Sequence, residues 1–373
     1  MHDLDIYDKR GNQYFLSPKF THLLESLIDF FHSHDIQNHV FFFSSGTTST
    51  MLKGYAISRH AMMDNAKAVN DHLNLSTNDR WGLTLPPYHV GGISILFRSL
   101  LLKNSPHDLL PWTPQTLAQE IQTQQLTAIS LVPSQIYDLV RLQIKAPPEL
   151  KIALAGGDFL SDALEKEAHR LDWPLYRTFG MSEVGSQLAT ATEKWSREMK
   201  ILSLHQVKTD VNQKIWVKSP SLFSFELHFN HVWGLVKASD SFDEDGFYPL
   251  PDKGALSGMN LIPMGRDDGH FKMSGRLLDF THLKNMLDSY MLKTQTWGKM
   301  ELLLKNDVRK GKILCLVSEK SLSEEVRQQF LVNILPIKID AFILIDKIER
   351  TELGKFKQSS YSLTTKLSTL KDH

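Results

Sequence analysis

Between residues 40 and 177 the sequence alternates short apolar runs with stretches of helical periodicity, and this alternation restricts the fold more than any other feature. The apolar runs lie at 40–43, 81–85, 128–132, 151–155 and 175–177. The helical stretches bring their own start signals: Ser58 ahead of Met62, Met63, Ala66, Val69 and Leu73, then Thr113-Pro114, and Ser161 ahead of the charged stretch 162–170. Ile93, Leu96, Phe97, Leu100 and Leu101 form a further helical stripe, with Arg98 off it. Strands that alternate with helices pair most simply in parallel, because each parallel neighbour needs a crossover long enough to hold a helix. The expected fold class is therefore α/β with a mostly parallel sheet. In such sheets ligands bind beyond the carboxyl ends of the strands. Polar, glycine-containing clusters follow the runs at Ser45, His89, Gly156 and Glu183, so these clusters are expected along one edge.

The flanks read differently. Ser17-Pro18 opens a helix marked by Phe20, Leu23, Leu24, Leu27, Phe30 and Phe31. Beyond about residue 200 the helical periods give way to β-like runs at 214–218 and 223–229, which predicts a β-rich subdomain over about 200–264. Residues 265–275 are polar and glycine-rich, suited to a linker. After them come apolar runs at 300–304, 312–317 and 341–345 and a helix at 323–332, a small α+β unit. A length of 373 residues accommodates two domains, here 1–267 (large) and 268–373 (small).

Composition excludes some function classes. Lys plus Arg and Asp plus Glu are 42 each, so the basic excess that marks nucleic-acid binding is missing. The single cysteine, Cys315, sits in an apolar run and reads as a core residue in a reducing compartment. The N-terminus has no basic segment followed by an apolar one, and no apolar run approaches the ~18 residues of a membrane span. A cytoplasmic protein without a membrane span is expected.

Two stretches carry chemistry. Phe179-Gly180-Met181-Ser182-Glu183 sets an aromatic face for a purine, a glycine for close backbone approach, a hydroxyl for a phosphate oxygen and a carboxylate for Mg2+ within five positions. Alone, such a pentapeptide also arises in ordinary loops. Ser44-Ser45-Gly46-Thr47-Thr48, followed by Lys53, offers hydroxyls, backbone N–H groups and a point charge to a polyphosphate, although a solvated turn has the same composition. It lacks the register of a P-loop.

Together with Asp252 in Leu250-Pro251-Asp252, with Gly265-Arg266-Asp267-Asp268 and with Arg350-Thr351-Glu352-Leu353-Gly354-Lys355, these stretches resemble, in order, the fingerprints of the adenylate-forming acyl-CoA synthetase superfamily. Within it, residues 85–98, 129–134 and 179–190 are most similar to the o-succinylbenzoate-CoA ligase family of menaquinone biosynthesis. The resemblance implies ATP, Mg2+ and coenzyme A. It also implies that an acid is activated as its acyl adenylate before transfer to the thiol. Ser44, Ser45, Gly46, Thr47, Thr48 and Lys53 would hold the β- and γ-phosphates, Gly156 and Gly157 would border the adenine, and Phe179, Gly180 and Met181 would lie against the nucleotide. Ser182 would contact the α-phosphate and Glu183 would bind Mg2+. Asp252 and Arg266 would fix the ribose, and Lys355 would bridge the carboxylate and the α-phosphate. His89 and Ser186 would border the acyl substrate, and Arg98, nine positions after His89, would pair with its second carboxylate. Asp268 would be the hinge of a mobile C-terminal domain.

The chain departs from the family pattern in several places. Ser49 stands where glycine is usual, proline is missing before Lys53, the loop is one residue longer, Gly269 replaces the second hinge acid, and residues 276–280 differ. About forty residues precede the loop, fewer than the family has, which leaves a homodimer completing the acyl pocket as an expectation. Two other readings stay open: another aryl- or acyl-CoA ligase, and a non-catalytic nucleotide- or acyl-binding module.

Overall fold

A computed structural model describes residues 9–44, 52–229, 233–237, 241–266, 270–273, 276–307, 311–330, 335, 339–352 and 354–357. Its central element is the strand Leu175–Met181, which belongs to both halves of an eleven-stranded sheet. On one side, Leu175, Tyr176 and Arg177 pair in parallel with Ala153, Leu154 and Ala155, and the parallel order continues through Ala128–Leu131 and Trp81–Leu83 to His107–Asp108. On the other side, Thr178 to Met181 pair antiparallel with Ser186–Thr190. That half continues through Met199–Ile201, Asn260–Arg266, Tyr248–Ser257 and Lys214–Lys218 to Gln206–Thr209.

The parallel half is covered on both faces, as its unbroken apolar runs require. Ile129, Leu131, Ala153 and Ala155 face a core made with Leu117, Ile121, Ile136, Leu139, Leu164 and Ala168 from the helices Pro114–Thr123, Pro133–Arg141 and Asp162–Arg170. Their neighbours Ala128, Ile152 and Leu154 point the other way, onto Trp81, Leu83 and Ile95. The caps form as read at Ser58, Thr113 and Ser161, which accept from the backbone N–H of Ala61, Thr116 and Leu164, and Ser323, expected as a first helical residue, caps its helix by accepting from the Val326 N–H. Ser17 does not; a 3-10 turn, Pro18–Leu23, precedes the helix Leu24–Ser33.

One expectation is overturned. The strand His39–Phe43 does not join the parallel sheet. It pairs antiparallel with Leu52–Ser58, in a five-stranded sheet that also holds Gln13–Phe15, Phe225–Phe229 and Trp233–Lys237. The strand is therefore followed in the chain by its antiparallel neighbour and not by a crossover to a parallel one. An apolar run of four residues is equally compatible with either pairing, so local pattern leaves the choice to the partner strand. The helices Arg59–His72 and Val90–Leu101 fill the space beside this sheet through Met62, Ala66, Ile93 and Phe97, packed on Phe42, Tyr55 and Ile57.

The strands between 199 and 266 form no sheet of their own: five extend the large sheet and two extend the small one. The glycine-rich stretch expected as a linker holds a short hairpin, His270–Met273 with Arg276–Asp279. After it, the helix Phe280–Lys293 and the strands Met300–Asp307, Gly311–Ser318 and Ala341–Leu344 enclose a separate core of Leu283, Leu287, Leu302, Leu314, Leu316 and Phe330. Cys315 is buried as a free thiol in a second cluster, with Leu303, Val317, Ala341 and Ile343. Among the described residues, no helix is long and apolar enough to cross a membrane.

Candidate active site

The Phe179–Glu183 stretch sits where the sheet changes from parallel to antiparallel, and the change needs a glycine. A Cβ at Gly180 would meet the Ser186 carbonyl oxygen at 2.1 Å, a backbone approach that no other residue permits. The chain then makes one 3-10 turn, Ser182–Val184, which turns the Glu183 carboxylate toward the small sheet. There the Tyr55 hydroxyl donates to Glu183 Oε1 at 2.8 Å, and the Phe223 N–H donates to the Glu183 carbonyl at 3.0 Å. Phe223 packs edge-on against Tyr55 and Tyr248, each at 5.1 Å between centroids. Burial and then the Glu183 charge hold the Tyr55 hydroxyl far above the usual phenol range, so it stays a donor. Tyr248 is raised by the same causes.

Lys53 stands two residues before Tyr55 on one strand and therefore on the same face. Its ammonium lies 5.3 Å from the Tyr55 ring centroid and 2.8 Å from Glu226 Oε2, while Glu226 Oε1 is 2.5 Å from His228 Nε2. Ser44 is tied across the hairpin, its N–H donating to the Lys53 carbonyl at 2.8 Å. The expected phosphate lysine and metal carboxylate are thus neighbours through Tyr55. Ser45, Gly46, Thr47 and Thr48 lie outside the described residues. Glu183 is half-buried, with one oxygen fixed by a phenol. One such carboxylate, with phosphate oxygens and water, is a donor set that Mg2+ accepts.

His89, Gly156 and Gly157 follow the carboxyl ends of parallel strands, as expected. The turn that carries Lys355 meets this edge. It is closed by a bridge between Arg350 and Phe356, by Thr351 N–H to the Lys355 carbonyl at 2.7 Å and by Lys355 N–H to Thr351 Oγ1 at 3.1 Å. At its tip Gly354 has φ +78°, and a Cβ there would lie 2.5 Å from Ser134 Oγ. His89 lies 3.7 Å from Glu352 through Nε2. Burial lowers its pKa, Glu352 opposes that shift, and the nearby Lys355 ammonium lowers it further.

Arg98 is 2% exposed. Its guanidinium donates to Ser186 Oγ at 3.3 Å and to Gln187 Oε1 at 3.2 Å, and lies 5.2 Å from the Trp81 ring centroid. Among the described residues no carboxylate pairs with it, its Nε has no partner, and burial pushes its pKa down to about 9. Asp252 and Arg266 are direct partners across an antiparallel pair, which puts them at one level of the sheet. Phe179 and Met181 are half-buried and pack on the core around Val184 and Leu188. Asp268 lies outside the described residues.

A buried histidine that sequence reasoning passed over braces the segment after Glu183. The His205 Nε2–H donates to the Gln187 carbonyl at 3.0 Å, which fixes the tautomer and leaves Nδ1 to accept from Ser219 Oγ at 2.8 Å. Burial pushes its pKa down to about 4, below the unfolded value of about 6.5. The folded state thus binds this proton less readily, so its stability is full above pH 6.5 and is lost as pH falls toward 4. Between pH 7 and pH 5 the expected loss is about 2 kcal/mol in urea unfolding, and His205→Gln should flatten that slope. An unchanged slope in the variant would show that other groups set it.

Tyr55, Tyr248, Glu226 and Glu352 also escaped the sequence reading. Only Tyr55 carried a signal, its two-residue spacing from Lys53 on a strand.

A family model described as "AMP-binding enzyme" matches residues 33–216. The 2-succinylbenzoate-CoA ligase of Staphylococcus epidermidis is 27% identical over 235 residues, covering 59% of this chain and 48% of its own length. That of Listeria monocytogenes serotype 4b is 25% identical over 328 residues, covering 85% and 68%. The chain spans about half the length of the first of these relatives and about two thirds of the second. O-succinylbenzoate coenzyme A synthetase (MenE) from Bacillus subtilis in complex with AMP superposes with a TM-score of 0.73 at 20% identity, over 89% of this chain and 70% of that one. Its complex with ATP and magnesium ion superposes at 0.71 and 22% identity, over 86% and 69%. The likeness establishes a shared fold.

Proposed function

Taking residues 33–216 as an AMP-binding enzyme segment within this fold, we propose that the chain is an ATP-dependent acid-thiol ligase that joins o-succinylbenzoate to coenzyme A. The observation that carries the reading is the convergence of Glu183 and Lys53 on Tyr55, with Glu183 following a strand of the large sheet whose parallel half receives the Lys355 turn at its carboxyl edge.

A free carboxylate acylates poorly because oxide would have to leave. In the first step a carboxylate oxygen attacks the α-phosphorus, the bond to the β-phosphate oxygen breaks, and pyrophosphate departs. In the second, the coenzyme A sulfur attacks the acyl carbon, AMP leaves with the bonding pair, and the thiol proton is released. Lys53 serves the departing phosphates, Asp252 and Arg266 the ribose, and Phe179 with Gly156 and Gly157 the adenine. Tyr55 orients the Glu183 carboxylate. Mg2+ held by Glu183 and the phosphates would neutralise charge that develops on phosphoryl oxygens. Lys355 supplies a second positive charge there. Residues 1–267 would form the larger unit and 268–373 a unit turning about Asp268. Pairing of two chains at the flank of the acyl pocket belongs to the same reading, and a monomer by light scattering would remove it. We place the reaction in the cytoplasm, where the buried thiol of Cys315 stays reduced.

The test is pyrophosphate release with ATP and Mg2+, comparing o-succinylbenzoate with benzoates and fatty acids. Release specific to o-succinylbenzoate supports the reading. Release with a monoacid in its place indicates another acyl-CoA ligase. A second reading, a binding module, draws on the ion pair of Lys53 with Glu226, which occupies the cation meant for phosphate; nucleotide binding without release for any acid would favour it.

A further inference from the structure

The turn that carries Lys355 also carries an anion. Three residues before the lysine, Glu352 faces three groups from the first ninety residues. Its Oε1 accepts from Lys19 Nζ at 3.0 Å, its Oε2 lies 3.7 Å from His89 Nε2, and the Tyr88 phenol stands close enough to respond to its charge. Tyr88 and Lys19 together hold the carboxyl below the usual range against the effect of burial, and burial first and then Glu352 push Tyr88 up to about 12. His89 Nε2 is buried without a hydrogen-bond partner, and this carboxylate, 3.7 Å away, is the acidic group it faces.

We propose that Glu352 is a positioning residue, a latch that aligns the Lys355 turn on Lys19, Tyr88 and His89. Its kinetic consequence rests on the adenylation reading above, whereas its structural consequence does not. The turn is closed on itself by the Arg350–Phe356 bridge and two Thr351–Lys355 hydrogen bonds, so a restraint on Glu352 is passed to Lys355 with little slack. Among the described residues, Gly354 also lies against Ser134 at the tip of the turn, and further contacts of the C-terminal core lie away from it. Trp297 stacks on Tyr137 at 4.9 Å, and Asn285 Oδ1 accepts from the Asp162 N–H at 3.3 Å. These two attach the unit, and Arg350 ties the base of the turn to it through the Gly298 carbonyl and Glu301, whereas Glu352 brings side chains of the first ninety residues to the turn itself. The latch is also weak enough to release. Glu352 is 36% and Lys19 69% exposed, and a single exposed ion pair contributes little. Three convergent partners give a preference for the docked state that solvent can still undo, as a turn that closes for one step and leaves for the next requires.

The experiment uses the full chain with nitroxide labels at Lys103→Cys and Glu325→Cys, two exposed sites on either side of the latch. Glu352→Gln is expected to broaden and lengthen the label separation. It should also lower the adenylation kcat by about tenfold, within the range of coupling for residues in contact, while thioester formation from supplied acyl adenylate is retained. Lys19→Ala should reproduce part of both effects and add little to Glu352→Gln. An unchanged separation overturns the latch, as does an equal loss in the two half-reactions. If the wild-type chain forms no adenylate, the functional reading fails by itself, and the label separation still decides whether Glu352 aligns the turn.

Discussion

Lys355→Ala is expected to slow pyrophosphate release from ATP by about 10²- to 10³-fold, the usual effect of removing one preorganised charge from a developing oxyanion. The physical reason is where the charge is held. Lys355 sits on a turn closed by its own hydrogen bonds, with Gly354 in a left-handed conformation pressed against Ser134. The ammonium therefore arrives with little reorganisation left to do. If it meets the α-phosphoryl oxygens as proposed, it stabilises them more as charge accumulates than in the ground state, so the loss should fall on kcat more than on the KM for ATP. Lys355→Arg should restore little, because a planar fork does not replace a compact point charge at a crowded site. Thermal stability should hardly change, since the side chain is half-exposed and leaves no buried partner behind. Thioester formation from supplied acyl adenylate should survive. Single-turnover assays of the two half-reactions check this; equal losses in both would remove Lys355 from the adenylation step.

Arg98→Met is expected to lower kcat/KM for o-succinylbenzoate by about 10²-fold, mostly through KM, with little effect on any benzoate that the enzyme also adenylates. A guanidinium 2% exposed, with a hydroxyl, an amide oxygen and an indole face for company, is a costly thing to keep. A buried cation among neutral groups is explained if an anion joins it, and the second carboxylate of the substrate is such an anion. The variant should then unfold at an equal or higher urea concentration than wild type, because the unpaired charge is gone and the length of the side chain is kept. The opposite pattern is equally informative. A large loss of stability, with both acids affected alike, would make Arg98 a strut between the helix Val90–Leu101 and the Ser186–Gln187 segment.

The two substitutions differ in how far the sequence anticipates them. Lys355 is named by a local motif, and its chemistry follows from residue type. For Arg98 the sequence offers its place off a helical stripe and, through the resemblance, a role beside a second carboxylate; that it is buried, and buried without an acid, depends on Trp81 and on Ser186 and Gln187, which come from two other segments.

What the sequence determined by itself is whatever depends on periodicity within a dozen residues. The parallel strand residues at 81–83, 128–131, 152–155 and 175–177 belong here, as do the helices Arg59–His72, Pro114–Thr123 and Asp162–Arg170 and the serine and threonine caps that start them. Apolar spacing and capping chemistry act over one or two turns and need no distant partner. Only the tertiary structure decided the rest. It paired His39–Phe43 with Leu52–Ser58 in a second sheet, brought Lys53 and Glu226 to the Tyr55–Glu183 contact, and set Glu352 against Lys19, 333 residues away. An apolar run pairs equally well on either edge, and a surface carboxylate has no pattern that names its partner. Such choices are made by the packing of whole elements, which places these side chains together as a consequence.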